Sequence, residues 1–570
     1  MNKISAGILK FLRDNWILIA FSFLRVLFGV AAGVWFPATE GCDDVLMMNY
    51  ASLRHHFLEP DLFSLAKYMG FPIFLDVVYV SHLPYAFFTS LLWVAAAAAV
   101  KKMLSYFVSN RPLLIFLFIY TLFLPIGYEQ EAGLRLYRNA LIAPCTLLVF
   151  GMLLILMARP FKKEAGIAGH IAAAAFFGFI FTFTFYIKED GIWYLAVLLF
   201  ADAVVLINAA VSFLKHKKAD QKTLYAVLIM VSIPLLVFLL GTAGYKKVNH
   251  HFFGVSETNT RTDGELGRFV QHFYSTDSEE RTDEIWAPAD AIDQVFEASE
   301  TLKSRPEIYE ALLKNPWSDG DLKKNGIRGD WISWAMRYAA DCAWNHEWNE
   351  KEISDFFSQV NREIDAAFEK GILKKADRIQ LLPSGGGKTW EDIWRVAGFT
   401  GDALLESVAL MEYGAGVQYR TFDEIYIPNI EAAAKISRTP ALLDYNRNAG
   451  WRSAAKAVSN VLFVIYRALN VVLLVTAIAA LIWSVVHAFT KRGKKNGSDT
   501  PVIHCFLILF FFALAAVYAF SICWFSSFLF SDGIIRVVQI FYTAGVPAIL
   551  TFAYGFGSVR FLSLLKQRRT

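Results

Sequence analysis

WILIAFSFLRVLFGVAAGVWF, residues Trp16–Phe36, is the stretch on which the fold turns. It carries one charge, Arg25, in a run long enough to cross a bilayer, since ~30 Å of hydrocarbon takes about 20 helical residues. A short basic leader precedes it (Lys3, Lys10, Arg13). The pattern superficially resembles a signal peptide, but the apolar run is too long and no small-residue cleavage site follows. It reads as a retained first membrane helix.

Nine further apolar runs lie outward from it: Leu83–Val100, Leu113–Ile126, Ala140–Met157, Ile167–Tyr186, Ile192–Leu214, Leu224–Gly244, Val458–Phe489, Val502–Phe530 and Ile534–Leu562. The chain reads as an all-α polytopic membrane protein of about ten transmembrane helices, seven plus three. Composition agrees: 56% of the 570 residues are hydrophobic and only 19% charged, where soluble domains carry about 25% charge. Five scattered cysteines with no CxxC spacing imply neither a zinc site nor a disulfide framework.

Charge in the gaps orients the chain. Alternate gaps are basic: Lys101, Lys102 and Arg111; Arg159, Lys162 and Lys163; Lys215, Lys217, Lys218 and Lys222; Lys491, Arg492, Lys494 and Lys495. The tail adds Lys566, Arg568 and Arg569. By the positive-inside rule these face the cytoplasm, with both termini. Residues 1–244 then form a seven-helix module and 457–570 a three-helix module, both integral to the cell membrane. Residues 245–456 are an extracytoplasmic domain. This insert is net acidic and mainly helical. Trp331, Trp334 and Tyr338 share one helical face, and Ile353, Phe357, Val360, Ile364 and Phe368 recur at helical spacing. Asn349 or Glu350 caps the second helix and Gly371 ends it.

The other gaps face out. The first, residues 37–82, opens on Glu40-Gly-Cys-Asp-Asp44. Asp43 and Asp44 fit a helix cap for the run behind them. They equally fit a general base that deprotonates an attacking hydroxyl, and a divalent metal, if one is used, would take Asp43 or Asp44. Glu129, Glu131, Arg135 and Arg138 occupy the second gap, and the third is the tight Lys188-Glu189-Asp190-Gly191. A Gly-ended turn explains the last of these, yet three charges beside hydrocarbon are costly unless paired or wetted. Arginine suits bidentate phosphate recognition, so Arg135, Arg138 and Arg536, with Lys188, are candidate phosphate ligands. Arg25, Asp202 and Arg467 lie deeper and read as structural pairs.

Some motifs are set aside. Ser384-Gly-Gly-Gly-Lys-Thr389 lacks the leading Gly of a P-loop, because Leu382 stands there, and reads as a flexible loop. His55-His56 and His250-His251 have no third ligand in metal-binding spacing. The tryptophans of the insert read as core rather than as sugar platforms.

An acidic pair after the first span, acids and arginines in the second outer gap, and a soluble insert after span seven together resemble the GT-C superfamily of membrane glycosyltransferases. The resemblance covers the first seven spans as architecture. It implies a polyprenyl-phosphate-linked sugar as donor and a cell-envelope glycopolymer, lipid or protein as acceptor, in contact with membrane lipid and no nucleic acid. The family's key acid falls on Asp43-Asp44 and its second acidic pattern on Glu129-Gln-Glu131. Its lipid-phosphate arginines map by location to Arg135, Arg138 or Arg536. Glu40, Glu129, Glu131, Glu189 and Asp190 are then supporting acids, and transfer is direct and inverting. The helical insert departs from the β-trefoil of O-mannosyltransferases. Two other classes stay open: a flippase for a lipid-linked precursor, and a non-catalytic assembly or sensor protein that docks through its insert.

Overall fold

The structure is a computed structural model that describes residues 3–33, 47, 55–162, 166–216, 221–316, 326–415, 431, 434–439, 449–490, 500–529 and 535–569. The expected all-α architecture is present. Nine described helical segments are long and apolar enough to cross a membrane, among them Leu12–Ala32, Asn139–Phe161 and Val502–Leu529.

We label the longer helices in chain order. The first module holds α1 (Lys3–Ala32), α2 (Gly70–Ser81), α3 (Tyr85–Leu104), α4 (Arg111–Leu122), α5 (Asn139–Lys162), α6 (Ile167–Phe185), α7 (Ile192–His216) and α8 (Gln221–Phe253). The insert holds α9 (Glu265–Ser275), α10 (Ala289–Glu297), α11 (Pro306–Leu313), α12 (Trp331–Ala343), α13 (Glu350–Glu369) and α14 (Trp390–Ala409). Then follow α15 (Ala449–Thr490), α16 (Thr500–Ser526), α17 (Ile535–Tyr542) and α18 (Val546–Arg569). The only sheet among the described residues pairs β1 (Ile285–Ala287) with β2 (Ile327–Arg328), antiparallel. As the pattern predicts, the Asn349 side chain accepts from the Glu352 amide at 3.1 Å to cap α13, and Gly371 follows its end at φ +72°.

The expected span Leu113–Ile126 is a half-helix. The 12 residues of α4 rise about 18 Å, short of a bilayer, and a 3-10 turn at Pro125–Gly127 follows. The segment nevertheless runs along α1 from Asp14 to Ala32. Arg111 bonds the Asp14 carbonyl, the Phe21 and Phe123 rings lie 6.3 Å apart, Phe28 and Tyr128 4.6 Å apart, and Leu134 packs with Ala32. Buried irregular backbone survives only when protein satisfies it. Here Gln130 N–H reaches the Gly414 carbonyl at 2.9 Å, and the Glu129 carboxylate accepts the amides of Glu131 and Ala132 at 2.7 and 2.8 Å. The expected last span also divides, into α17 and α18.

Deep charges depart from the expected pairing. Arg467 donates to the Leu410 carbonyl at 2.7 and 3.1 Å, a backbone pairing. Asp202 and Arg25 are buried and form no ion pair with a described residue.

The insert is packed onto the bundle. Its core joins α9, α10, α12 and α13 and takes in Phe528 from just beyond α16, while α14 lies against α15, α16, α17 and α18. The glycine-rich stretch is a latch rather than a flexible loop. Lys388 is fully buried, in contact with the Asp283 carboxylate and 2.6 Å from Ser527 Oγ, and Thr389 caps α14 in a reciprocal pair with Asp392. Trp286, Trp334, Trp344 and Trp348 are core, as expected. Trp390 and Trp394 are not; they are 71% and 76% exposed on α14, beside the membrane helices.

At the end of the bundle that carries the insert, α2 is fixed by Gly70, whose amide donates to the Tyr186 carbonyl at 2.9 Å. A Cβ there would fall 2.3 Å from that oxygen. Gly70→Ala is therefore expected to displace α2 and cost about 1–3 kcal/mol of stability, as overpacking does, read as a lowered unfolding midpoint in detergent.

Candidate functional site

The charged turns of the sequence meet at the insert end of the bundle. Tyr186–Gly191 joins α6 to α7 so tightly that a Cβ on Gly191 would sit 2.3 Å from the Phe185 carbonyl oxygen. This closeness holds the three preceding charges at the helix ends. Arg138 Nη1 meets Glu189 Oε2 at 2.6 Å, with side chains only 5% and 19% exposed. Lys188 Nζ lies 3.3 Å from Asp190 Oδ2 and 5.4 Å from the Tyr542 ring of α17. Arg135 pairs more loosely with Glu131, at 3.9 Å, and stacks 4.4 Å over Phe541. Tyr137 stacks on the same Phe541 at 5.7 Å. Arg536 is on the same short helix as these aromatics, and its side chain lies outside what is described.

Sequence reasoning missed a second layer of cations. Lys67, in the loop before α2, and Arg261, just after α8, interact electrostatically with the Glu189 carboxylate. Both also flank the Trp334 ring, at 5.4 and 5.0 Å, and Arg261 pairs with Asp330 at 2.8 Å. Asn259 Nδ2 approaches Glu189 Oε1 at 3.4 Å. The available signal was the polar run Thr258-Asn-Thr-Arg-Thr-Asp-Gly264 directly after a membrane helix. Burial, together with Asp263 and Glu189 nearby, pushes the Tyr68 phenol well above its usual range, so it stays protonated and able to donate.

Arg337 anchors this layer. Its guanidinium is fully buried and bonds the carbonyls of Leu62 and Ser64 (2.7 Å to the latter), Thr260 Oγ1 at 2.9 Å and Glu350 Oε1 at 3.0 Å. One side chain thus joins the first loop, the segment after α8, and α12 to α13.

Of the sequence candidates, Arg138, Glu189, Lys188 and Asp190 come together, with Arg135 and Glu131 alongside around Tyr137 and α17. Glu129 does not join them; it turns inward and closes its own loop. Glu40, Asp43 and Asp44, the expected catalytic and metal positions, lie outside the described residues. Met47, three positions after Asp44 in the chain, is described. It is fully buried in a cluster that contains Phe71, Leu136, Tyr137 and Ile187, the last two being sequence neighbours of Arg138 and Lys188. Among the described residues, no three His, Cys, Asp or Glu side chains converge as metal ligands. Chemically, the cluster offers fixed cations and acids at the boundary of an apolar bundle, the kind of preorganised field that stabilises developing charge. No protein family, no curated protein and no solved structure matches this chain.

Proposed function

We propose that the chain is a membrane glycosyltransferase of the GT-C type, moving a sugar from a polyprenyl-phosphate donor to a cell-envelope acceptor on the outer face of the membrane. In this reading both termini are cytoplasmic and residues 245–456 extracytoplasmic. The observation that carries it is the burial of Met47, three residues after Asp44 in the chain, among Leu136, Tyr137 and Ile187, sequence neighbours of Arg138 and Lys188. Asp43 or Asp44 takes the proton of the acceptor hydroxyl as its oxygen attacks the anomeric carbon. The bond from that carbon to the phosphate oxygen breaks, and the polyprenyl phosphate leaves with the electron pair. Arg135, Arg138 and Lys188, with Arg536, offset the negative charge that grows on the leaving phosphate. A single displacement inverts the anomeric centre.

The test is transfer from a polyprenyl-phosphate-linked sugar by the purified chain in liposomes. Asp43→Asn and Asp44→Asn, singly and together, are made; loss of the general base is expected to cut the rate about 10²- to 10⁴-fold. Undiminished transfer by the double variant would refute the mechanism. Movement of the lipid-linked sugar across the bilayer without any transfer would identify a flippase instead.

A further inference from the structure

α14 meets its two neighbours at one depth. About 20 helical residues span the hydrocarbon of a bilayer. Counted back along α15 from the basic stretch at Lys491, that length reaches Val471, and counted forward along α16 from Val502 it reaches Ile522. α14 touches both helices at these points. Asn470 Nδ2 donates to the Val408 carbonyl near the end of α14 at 3.0 Å, and Val396, nearer its start, clusters with Cys523 and Trp524. The helix therefore lies along the hydrocarbon boundary on the insert side, neither crossing it nor standing clear of it.

The stripe that α14 turns away from the bundle is apolar. Trp390, Trp394, Gly398, Gly401 and Leu405 follow one another at steps of three or four, opposite Val396 and Ala403. Trp390, Trp394 and Leu405 are exposed, and a Cβ on Gly398 or Gly401 would meet nothing within 4 Å. A helix face that looks into water carries polar residues; here Glu391, Arg395 and Asp402 are confined to one edge of the stripe.

The hairpin that leads into α14 extends the same surface. Ile379 and Lys388 exchange backbone hydrogen bonds at 2.9 and 2.8 Å, and the turn between them exposes Leu381 and Leu382 ahead of Pro383. Gln380 Nε2 stiffens the turn by donating to the carbonyls of Pro383 and Gly385, both at 3.0 Å. A Cβ on Gly385 would lie 4.0 Å from Trp524, so the tip sits at the level of the end of α16. The bond from Lys388 to Ser527 holds it there.

Exposed apolar residues gathered in this way mark an interaction surface, and the surface they continue identifies the occupant. Toward the bilayer centre α16 exposes Leu509 and Val517 on its lipid-facing side. Tryptophan is favoured where hydrocarbon meets headgroups, because its ring is apolar and its N–H can still find a partner. We propose that the turn at 381–383 and the stripe from Trp390 to Leu405 form a lipid-docking surface, seated in the headgroup layer of the insert-side leaflet. The insert is then held by the bilayer as well as by the bundle. The inference stands on the packing of α14 and is independent of sugar transfer.

The experiment uses the full chain in liposomes, with Trp390→Phe/Trp394→Phe as the reference. The fluorescence lost in that variant is the signal of the two rings. In vesicles of phosphatidylcholine brominated near the headgroup end of its acyl chains, this difference signal is expected to lose most of its intensity, while iodide on both sides of the membrane leaves it nearly unchanged. Leu382→Trp in the parent chain adds an independent reporter at the hairpin tip, read without the double variant, and should respond in the same way. Quenching by iodide with none by brominated lipid would show that the surface faces water and would overturn the proposal. Shielding from both quenchers would show that protein, such as a second copy of the chain, covers it, and would overturn the proposal equally.

Discussion

Arg337→Ala is expected to be the most destabilising single substitution in the insert, lowering stability by about 3–5 kcal/mol. The guanidinium is fully buried and bonds two carbonyls, a hydroxyl and the Glu350 carboxylate, with the Trp348 ring 4.6 Å below it. Truncation leaves that carboxylate buried, 3% exposed, with only the Thr260 hydroxyl at 3.0 Å to satisfy it. It also frees the carbonyls of Leu62 and Ser64, so the loop before α2 loses two of its bonds to the insert and keeps those of Leu65 and Ala66 to Thr260 and Arg261. Lysine is no remedy, since a single ammonium does not reproduce the planar fork. The check is thermal unfolding in detergent followed by tryptophan fluorescence, with limited proteolysis of the loop near Leu62. Arg337→Met combined with Glu350→Gln should recover part of the loss, because no unpaired charge then remains buried. An unchanged midpoint for Arg337→Ala would mean that the insert is held by its apolar contacts alone.

The second large effect is an asymmetry at the Arg138–Glu189 pair. Glu189 faces Arg138 at 2.6 Å and also answers Lys67 and Arg261. Glu189→Gln removes a carboxylate that three cations share, of which Arg261 keeps Asp330, and should cost about 3–5 kcal/mol. Arg138→Met leaves the carboxylate two cationic neighbours, and should cost markedly less. Double Arg138→Met/Glu189→Gln should fall near Glu189→Gln alone rather than at the sum, a coupling a double-mutant cycle reads directly. Equal costs for the two single variants would show that Lys67 and Arg261 contribute nothing to the carboxylate. Arg138→Lys keeps the charge and loses the fork. If Arg138 also serves the donor, that change should reduce transfer about tenfold while moving stability by less than about 1 kcal/mol.

The membrane helices were legible because a 20-residue apolar run has few other uses. The half-helix at Arg111–Leu122 was not, because the apolar run continues past its end through Phe123, Leu124, Pro125 and Ile126, an irregular stretch of the same hydropathy. Hydropathy reports burial, and burial in protein and in lipid look alike. The charged turns at 135–138 and 188–190 could be placed together by their common position beside helix ends, and Arg138 and Glu189 do touch. Arg261 and Lys67 escaped because each sits alone in a polar stretch with no spacing motif. Lys388 was misread for the opposite reason: three glycines suggested mobility, whereas they let the chain press against Trp286, 2.6 Å from where a Cβ of Gly386 would stand. Arg25 was expected to find a pair, and only coordinates could reveal that it has none among the described residues.

The half-helix also bears on how this chain is made. Its last turn is completed from far downstream: the Tyr466 hydroxyl donates to the Tyr120 carbonyl at 2.7 Å, and Tyr120 donates to Asn470 at 2.8 Å. The Gln130 amide likewise waits for Gly414. A ribosome delivers these partners only after the whole first module and most of the insert have emerged. Until then the Tyr120 carbonyl and the Gln130 amide are without these partners. The close packing of this segment is therefore expected to follow the synthesis of α15, which supplies both partners of Tyr120.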